Sequence, residues 1–479
     1  MTSSTPVYAA WNRRAWALLA VLCSVLFLDG LDLSMVGVAL PSIEADLNLS
    51  TTQLGWVVSA YVLGYGGLLL LGGRTADLFG RKRTLIIGLA VFAAASAVGT
   101  VVEDGTLLIL SRFVKGASAA FTAPAGLSLI TTTFAQGPMR NRAIGIYSAF
   151  GATGFSSGLI IGGLLTEIGW RWTFAAALPV AVALLAIAPR VVPKDIGRGL
   201  SHRHYDLPGA ATLTSGMLLL VYTIVEAPGQ GWTSARTLAS TAISLGLLAL
   251  FARIESRSAT PLVRLGILRS GRLLRAAGGA FVMFGAYAGF QFILTLYLQG
   301  LLGWSPLQTA LAFLPAGVMI AVASLRMGAL IDRFGAARLL AIGFTAFAGA
   351  YGLATQIGES LDYTTGLLPT MILLGVGFSL VFTTLQVEAT TGVGDNEQGL
   401  AAGILQTSFQ IGGALVMAAV SAIVSTGAGI GASPAETLDV FRTGLTVVAG
   451  LAVAGFLLSL FGLQVRFADG RTPVSTHDS

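Results

Sequence analysis

The chain has 479 residues, 54% hydrophobic and only 10% charged, with a mean hydropathy of +0.80, a balance that excludes a soluble globular domain. A net charge of +6 and a pI near 9.7 would suggest a nucleic-acid partner in a soluble protein, but the basic residues sit between apolar runs, where they follow a membrane rule. The single cysteine, Cys23, lies inside an apolar run and excludes an internal disulfide.

In chain order, apolar stretches predict fourteen membrane helices over 15–40, 52–72, 84–102, 106–130, 142–166, 171–189, 208–226, 236–253, 274–298, 306–326, 337–357, 365–388, 398–425 and 441–465. Each is long enough to cross a core of about 30 Å. The first follows Arg13 and Arg14 but is too long, and too acidic at Asp29 and Asp32, for a cleaved signal, so it reads as an uncleaved helix. Two polar connectors, "RVVPKDIGRGLSHRHYDLPG" (190–209) and "RIESRSATPLVRLGILRSGRLLRA" (253–276), divide the spans six, two, six. The predicted organisation is a six-helix bundle over 1–190, a connector 191–207, two inserted helices over 208–253, a connector 254–273, a second bundle over 274–465 and a tail 466–479. With a cytoplasmic N-terminus, 23 of the 28 Lys and Arg fall on the cytoplasmic side, the positive-inside bias that places both termini in the cytoplasm.

The short loops predicted after the second and tenth spans repeat one another. "GRTADLFGRKR" (73–83) and "GALIDRFGAAR" (328–338) share Gly, Asp, Phe, Gly and Arg at one constant offset, which indicates a duplicated six-helix unit. The glycines suit tight turns and close helix approach, the aspartate suits a helix N-terminus or a basic partner, and the arginines anchor the face.

These loops, with "LDLSMVGVALP" (31–41), "LILSRFVKGASAA" (108–120), "SSGLIIGG" (156–163), "GWRWTF" (169–174) and "GILQTSFQIGGAL" (403–415), resemble the major facilitator superfamily, and within it the 14-span drug:proton antiporter branch, over essentially the whole chain. The resemblance implies two pseudo-symmetric six-helix bundles plus two inserted central helices, around a cavity that opens alternately to each side. It places Asp32 on the branch's first-span acid. Gly73, Asp77, Gly80, Arg81 and Lys82 fall on the gate positions, repeated at Gly328, Asp332, Gly335 and Arg338. Arg112 and Gly116 fall on the fourth-span motif, and Gly158, Gly162 and Gly163 on the antiporter motif. Lys115 stands where the family usually has Gln, Leu159 where it has Pro, and Ala177 where Asn is common.

A charge at mid-bilayer costs about 2.5–3.5 kcal/mol even on lenient scales, so an intramembrane acid is a functional candidate. Three residues along a helix bring Asp29 and Asp32 within roughly 60° of each other, and close carboxylates disfavour simultaneous ionisation. Counting helical rise from the outer boundary puts Asp32 and Asp29 roughly 12 and 17 Å deep, and Arg112 and Lys115 on the antiparallel fourth span roughly 9 and 14 Å deep. The expectation is that Asp32, aided by Asp29, takes up a proton with Arg112 and Lys115 as charge partners; the alternative is a static buried ion pair. Tyr61, Tyr65, Phe284, Tyr287 and Gln291 are candidate lining for a mostly apolar substrate cavity.

No Walker-type "GxxxxGK" occurs, and His202 and His204 supply only two of the usual three or four metal ligands. No cofactor, metal or enzymatic chemistry is expected; the energy source is a proton gradient. The partners are the bilayer, protons and a small lipophilic or cationic substrate, with no nucleic acid, and a monomer is expected. Arginine dominance over lysine adds a compositional hint of a high-GC bacterium, in keeping with a bacterial cytoplasmic membrane. The reading is a proton-coupled multidrug or antibiotic exporter. Its rivals are a proton-coupled nutrient symporter and a non-transporting sensor or assembly partner. Inverted vesicles separate them: export predicts dye accumulation that collapses with a protonophore, import predicts uptake by whole cells, and a non-transporter predicts no gradient-dependent flux.

Overall fold

The structure, a computed structural model, describes residues 8, 10–49, 51–194, 206–258, 265–324, 326–395, 397–427 and 433–469. Much of the two predicted connectors, with His202 and His204, and the end of the predicted tail lie outside these residues.

The helices in chain order are α1 (Arg13–Leu47), α2 (Thr51–Phe79), α3 (Arg81–Val101), α4 (Gly105–Thr133), α5 (Pro138–Ile168), α6 (Arg171–Ala175), α7 (Ala177–Val191), α8 (Leu207–Gln230), α9 (Ala235–Arg257), α10 (Gly271–Thr295), α11 (Pro306–Ser324), α12 (Met327–Phe334), α13 (Ala336–Ala354), α14 (Leu368–Thr390), α15 (Gln398–Gly427) and α16 (Pro434–Asp469). Several start where a short polar side chain takes up a free backbone N–H: Asn12 accepts from Ala15 at 2.8 Å, Asp104 from Leu107 at 2.8 Å and Ser234 from Thr237 at 3.2 Å. Among the described residues thirteen segments are long and apolar enough to span a bilayer, one of them formed by α6 and α7 together, and α11 with α12 makes a fourteenth that bends by 65°.

Two of the sequence expectations need adjustment. The predicted loops at 73–83 and 328–338 are mostly helical: α2 continues to Phe79 and α12 to Phe334. The turn is concentrated in Gly80 (φ +107°) and Gly335 (φ +78°), a backbone region that a side chain disfavours. The second copy also differs from the first, because the stretch equivalent to continuous α2 is broken into α11 and α12.

The duplicated unit is visible in the packing. α1 lies against α5, α2 against α4, and α3 against α4 and α7; in the second half α10 lies against α15, α11 against α14, and α13 against α14 and α16. The two bundles meet along two seams, α2 with α15 and α5 with α11 and α12. The inserted α8 packs on both α2 and α15 and carries α9 on its far side, so the extra pair covers the first seam.

Small residues let helices cross at backbone distance. A β-carbon on Gly30 in α1 would lie 2.8 Å from the Gly151 carbonyl oxygen of α5, and one on Gly116 in α4 would lie 2.8 Å from the Tyr61 carbonyl carbon of α2. At the end of the bundle away from Gly80, Asp46 at the tip of α1 accepts from the Trp170 indole at 3.0 Å and from Arg171 at 2.6 Å. Those two hydrogen bonds hold the Asp46 carboxyl below the usual carboxylate range, and Arg171 also reaches the Val102 carbonyl at 3.0 Å, tying α1, α3 and the α5–α6 corner together.

Gly116→Ala is expected to destabilise by about 1–3 kcal/mol through overpacking, read as a lower thermal midpoint in detergent. Gly163→Ala, whose added carbon would meet only the Val38 Cγ1 at 4.0 Å, is expected to leave the midpoint unchanged or raise it.

Candidate functional site

The glycine seam between α1 and α5 sets the position of the first-span acids. Gly158 packs on the Leu31 backbone and the Ser34 hydroxyl, and a β-carbon on Gly162 would lie 2.8 Å from the Met35 Cα. Two of the three antiporter-motif glycines therefore seat α5 on the turn of α1 that carries Asp32, while Gly163 makes no such approach. The side chain of Leu159 lies outside the described residues.

Facing α1 from the other side, α4 presents Arg112 and Lys115. Both are fully buried, as is Asp32, whose exposure is 0%. The Arg112 Nη1 donates to Asp32 Oδ2 at 2.5 Å, and the Lys115 ammonium donates to Asp32 Oδ1. Arg112 Nε donates to the Val57 carbonyl of α2 at 3.1 Å, and its guanidinium lies 4.7 Å from the Tyr61 ring centroid. The Lys115 ammonium is held between the Phe92 ring of α3 at 4.7 Å and the Phe174 ring of α6 at 5.0 Å, a cation–π arrangement that partly replaces lost water. The structure thus brings together Asp32, Arg112 and Lys115, as helical depth predicts.

Asp29 is placed differently. It faces the same interior but makes no ion pair with either base among the described residues; its Oδ2 accepts from the Thr122 hydroxyl of α4 at 3.3 Å. Thr122 was not singled out from the sequence, although Arg112, Lys115, Ala119 and Thr122 form a 3-4-3 stripe on one face of α4. Phe174 closes the "GWRWTF" stretch, but neither it nor Phe92 showed a place beside Lys115, since nothing local tells a cation's aromatic neighbours from core aromatics.

The duplicated gate residues form two cross-bundle links at the Gly80/Gly335 end. Asp77 accepts from the backbone N–H groups of Gly399 at 3.2 Å and Leu400 at 3.1 Å, at the start of α15, where the helix dipole favours an anion. Gly73 admits the Gly399 carbonyl at backbone contact. Arg81 bonds Asp77 at 3.2 Å and reaches the Asp395 carbonyl, while Lys82 bonds the Pro189 and Val192 carbonyls at 2.6 and 2.7 Å. In the second copy a β-carbon on Gly328 would lie 2.8 Å from the Arg142 backbone nitrogen, and Asp332 accepts from the Asn141 amide of α5 at 2.7 Å. Arg338 is exposed. Deeper in the seam Gln386 of α14 donates to Ser148 of α5 at 2.8 Å, a buried link that no sequence pattern indicated.

In the second bundle the rings of Phe284, Tyr287, Phe378, Phe382 and Phe409 close a circuit, each 5.1–6.2 Å from the next. On α2 Tyr61 stands 6.0 Å from Tyr65. Gln291 is half-buried one turn beyond Tyr287. Phe284 and Tyr287 thus join an aromatic cluster whose other members come from α14 and α15, whereas Tyr61 is committed to Arg112. A separate cleft of about 250 Å³, lined by Arg272, Arg275, Leu385 and Glu388, lies within the second bundle between α10, α13, α14 and α16.

Two related bundles, a buried ion cluster in one and a two-fold link at one end define a multi-pass membrane transporter. The chain belongs to the Major Facilitator Superfamily, whose family model matches residues 22–417. It is 38% identical to the puromycin resistance protein of Streptomyces alboniger, over 96% of this chain and 92% of that protein. It is 36% identical to a cephamycin export protein of Amycolatopsis lactamdurans, over 94% and 92%. Among solved structures it superposes on the human organic anion transporter MFSD10 with a TM-score of 0.67, at 17% identity over 94% of this chain and all of the other, a likeness of fold alone.

Removing one partner of a buried charge cluster strands the others. Arg112→Leu is expected to destabilise by about 3–5 kcal/mol, seen as a large loss of folded protein in detergent. Asp77→Asn is expected to keep the fold but weaken the α2–α15 link, read as a shorter lifetime of a cysteine cross-link across that seam.

Proposed function

We propose that this chain is a proton-coupled exporter of lipophilic or cationic antibiotics. It sits in a bacterial cytoplasmic membrane with both termini in the cytoplasm and works as a monomer by alternating access. The observation that carries the reading is the buried cluster of Asp32, Arg112 and Lys115 with Asp29 beside it: an acid in a membrane interior is kept for a function that uses its charge. Resistance and export appear in the names of the relatives that match over nearly the full chain. The distribution of basic residues supports the orientation, so the end joined by Asp77 and Asp332 faces the cytoplasm.

In alternating access, joining the bundles at that end is what leaves the space between them to open to the outside. The return to an inward-facing state breaks the Asp77–α15, Asp332–Asn141 and Gln386–Ser148 links. Each rests on one or two hydrogen bonds of modest net strength, about 0.5–3 kcal/mol apiece depending on charge, so the three links can hold a state without locking it. The aromatic circuit of the second bundle offers flat apolar faces to a lipophilic substrate, and the α1–α4 cluster supplies the proton site.

In a pump-deficient host the wild type is expected to raise the inhibitory concentration of several lipophilic or cationic antibiotics by several-fold, and Asp32→Asn to abolish that protection at equal membrane abundance. Protection unchanged in Asp32→Asn, or efflux indifferent to a protonophore, would sink the proposal.

A further inference from the structure

Two acids and two bases meet in the first bundle, and the structure treats the acids unequally. We infer that Asp29, rather than the motif acid Asp32, is the carboxyl that gains and loses the proton, and that the cationic end of the substrate is what it exchanges the proton for. This rests on the exporter reading above and narrows its substrate to organic cations.

Asp32 has one oxygen taken by Arg112 and the other by Lys115, at 0% exposure. Those donors, an ammonium and a guanidinium, can only donate, so they suit a carboxylate and have nothing to accept a proton with. Protonating Asp32 would leave two buried cations with no counter-charge in direct contact, the situation a membrane interior tolerates least. Asp32 is therefore the fixed anion of the cluster.

Asp29 meets the opposite conditions. It retains 7% exposure against none for Asp32. Among the described residues it is hydrogen-bonded by the Thr122 hydroxyl at 3.3 Å, which donates to a carboxylate and accepts from a carboxylic acid equally well. The groups around it from each packed element are Asp32 on its own helix, Lys115 and Thr122 on α4, Tyr61 and Tyr65 on α2, and Tyr147 on α5, whose hydroxyl is used on the Ala123 carbonyl at 3.2 Å. Arg112 is turned to Asp32 and Val57. No cation is bonded to Asp29 among the described residues.

Charge bookkeeping then gives the coupling. With Asp29 ionised, two acids balance two bases and one carboxylate has no cation bonded to it among the described residues, a counter-ion for an incoming cation. With Asp29 protonated, the cluster carries one net positive charge and repels that cation. Substrate binding from the cytoplasm thus displaces one proton from the Asp29 carboxyl, and a proton arriving from outside displaces the substrate. The only bond made or broken is the O–H of Asp29, and exchange of one proton for one monovalent cation moves no net charge.

The test uses the full-length protein with ethidium, a planar monovalent cation, in detergent for binding and in proteoliposomes for flux. The wild type is expected to bind ethidium more tightly as pH rises, by about tenfold per unit below the titration of Asp29, with one proton released per dye bound, and its flux should follow a pH gradient but not an imposed membrane potential. Asp29→Asn should keep the wild-type thermal midpoint, release no proton on binding, bind independently of pH and lose gradient-driven flux, while Asp29→Glu restores proton release. Asp32→Asn should lower the thermal midpoint. If the wild type is gradient-driven and Asp29→Asn still releases protons and remains driven, the assignment of Asp29 is overturned and the exporter reading survives. If the wild type moves no dye in response to a gradient, both fall.

Discussion

The first bundle is organised around one requirement: the negative charge of Asp32 has to be met where no water can meet it. Arg112 and Lys115 do so from α4, but two cations then need placing as well. Val57 and Tyr61 from α2 receive the guanidinium, and Phe92 from α3 with Phe174 from α6 receive the ammonium. The glycine seam with α5 holds α1 in register. All six spans of the bundle thus serve one ion cluster, directly or through the helix that bears it.

The second bundle repeats the helix order and not the chemistry. Where the first concentrates charge, the second concentrates aromatic rings on α10, α14 and α15. A duplicated fold supplies two equivalent frames, and divergence has given the proton chemistry to one and the apolar surface to the other. The shared part is the gate sequence, because both copies need the same two things, an aspartate near the partner bundle's backbone and a glycine that lets the two chains touch. Asp77 reaches the start of α15 through bare amides, and Asp332 reaches the start of α5 through the Asn141 side chain.

Features governed by composition and local spacing were legible in the sequence. Fourteen apolar runs give the spans, the constant offset gives the duplication, and helical rise brings Arg112 and Lys115 to the depth of Asp32. Features set by pairings between distant segments were not. Ser148 and Gln386 are 238 positions apart, and nothing beside either residue announces the other. Gly73 and Gly328 suit either a tight turn or a close helix approach as sequence, because the same absence of a side chain serves both purposes; the structure puts both inside helices as points of close approach. The stripe that makes Thr122 the neighbour of Asp29 was present on α4, but a threonine among threonines in an apolar helix does not stand out until its partner is known.

The 65° bend between α11 and α12 gives the pseudo-symmetry a mechanical asymmetry. α2 is a single rod from the opposite end to its gate aspartate, so any tilt of its outer part is delivered undiminished to Asp77. In the second half the rod is bent: α12 has its own seat on α5, so a tilt of α11 need not reach it in full. The first bundle's gate therefore follows its helix rigidly, whereas the second can lag behind its own, and the two links need not release at the same moment in the cycle.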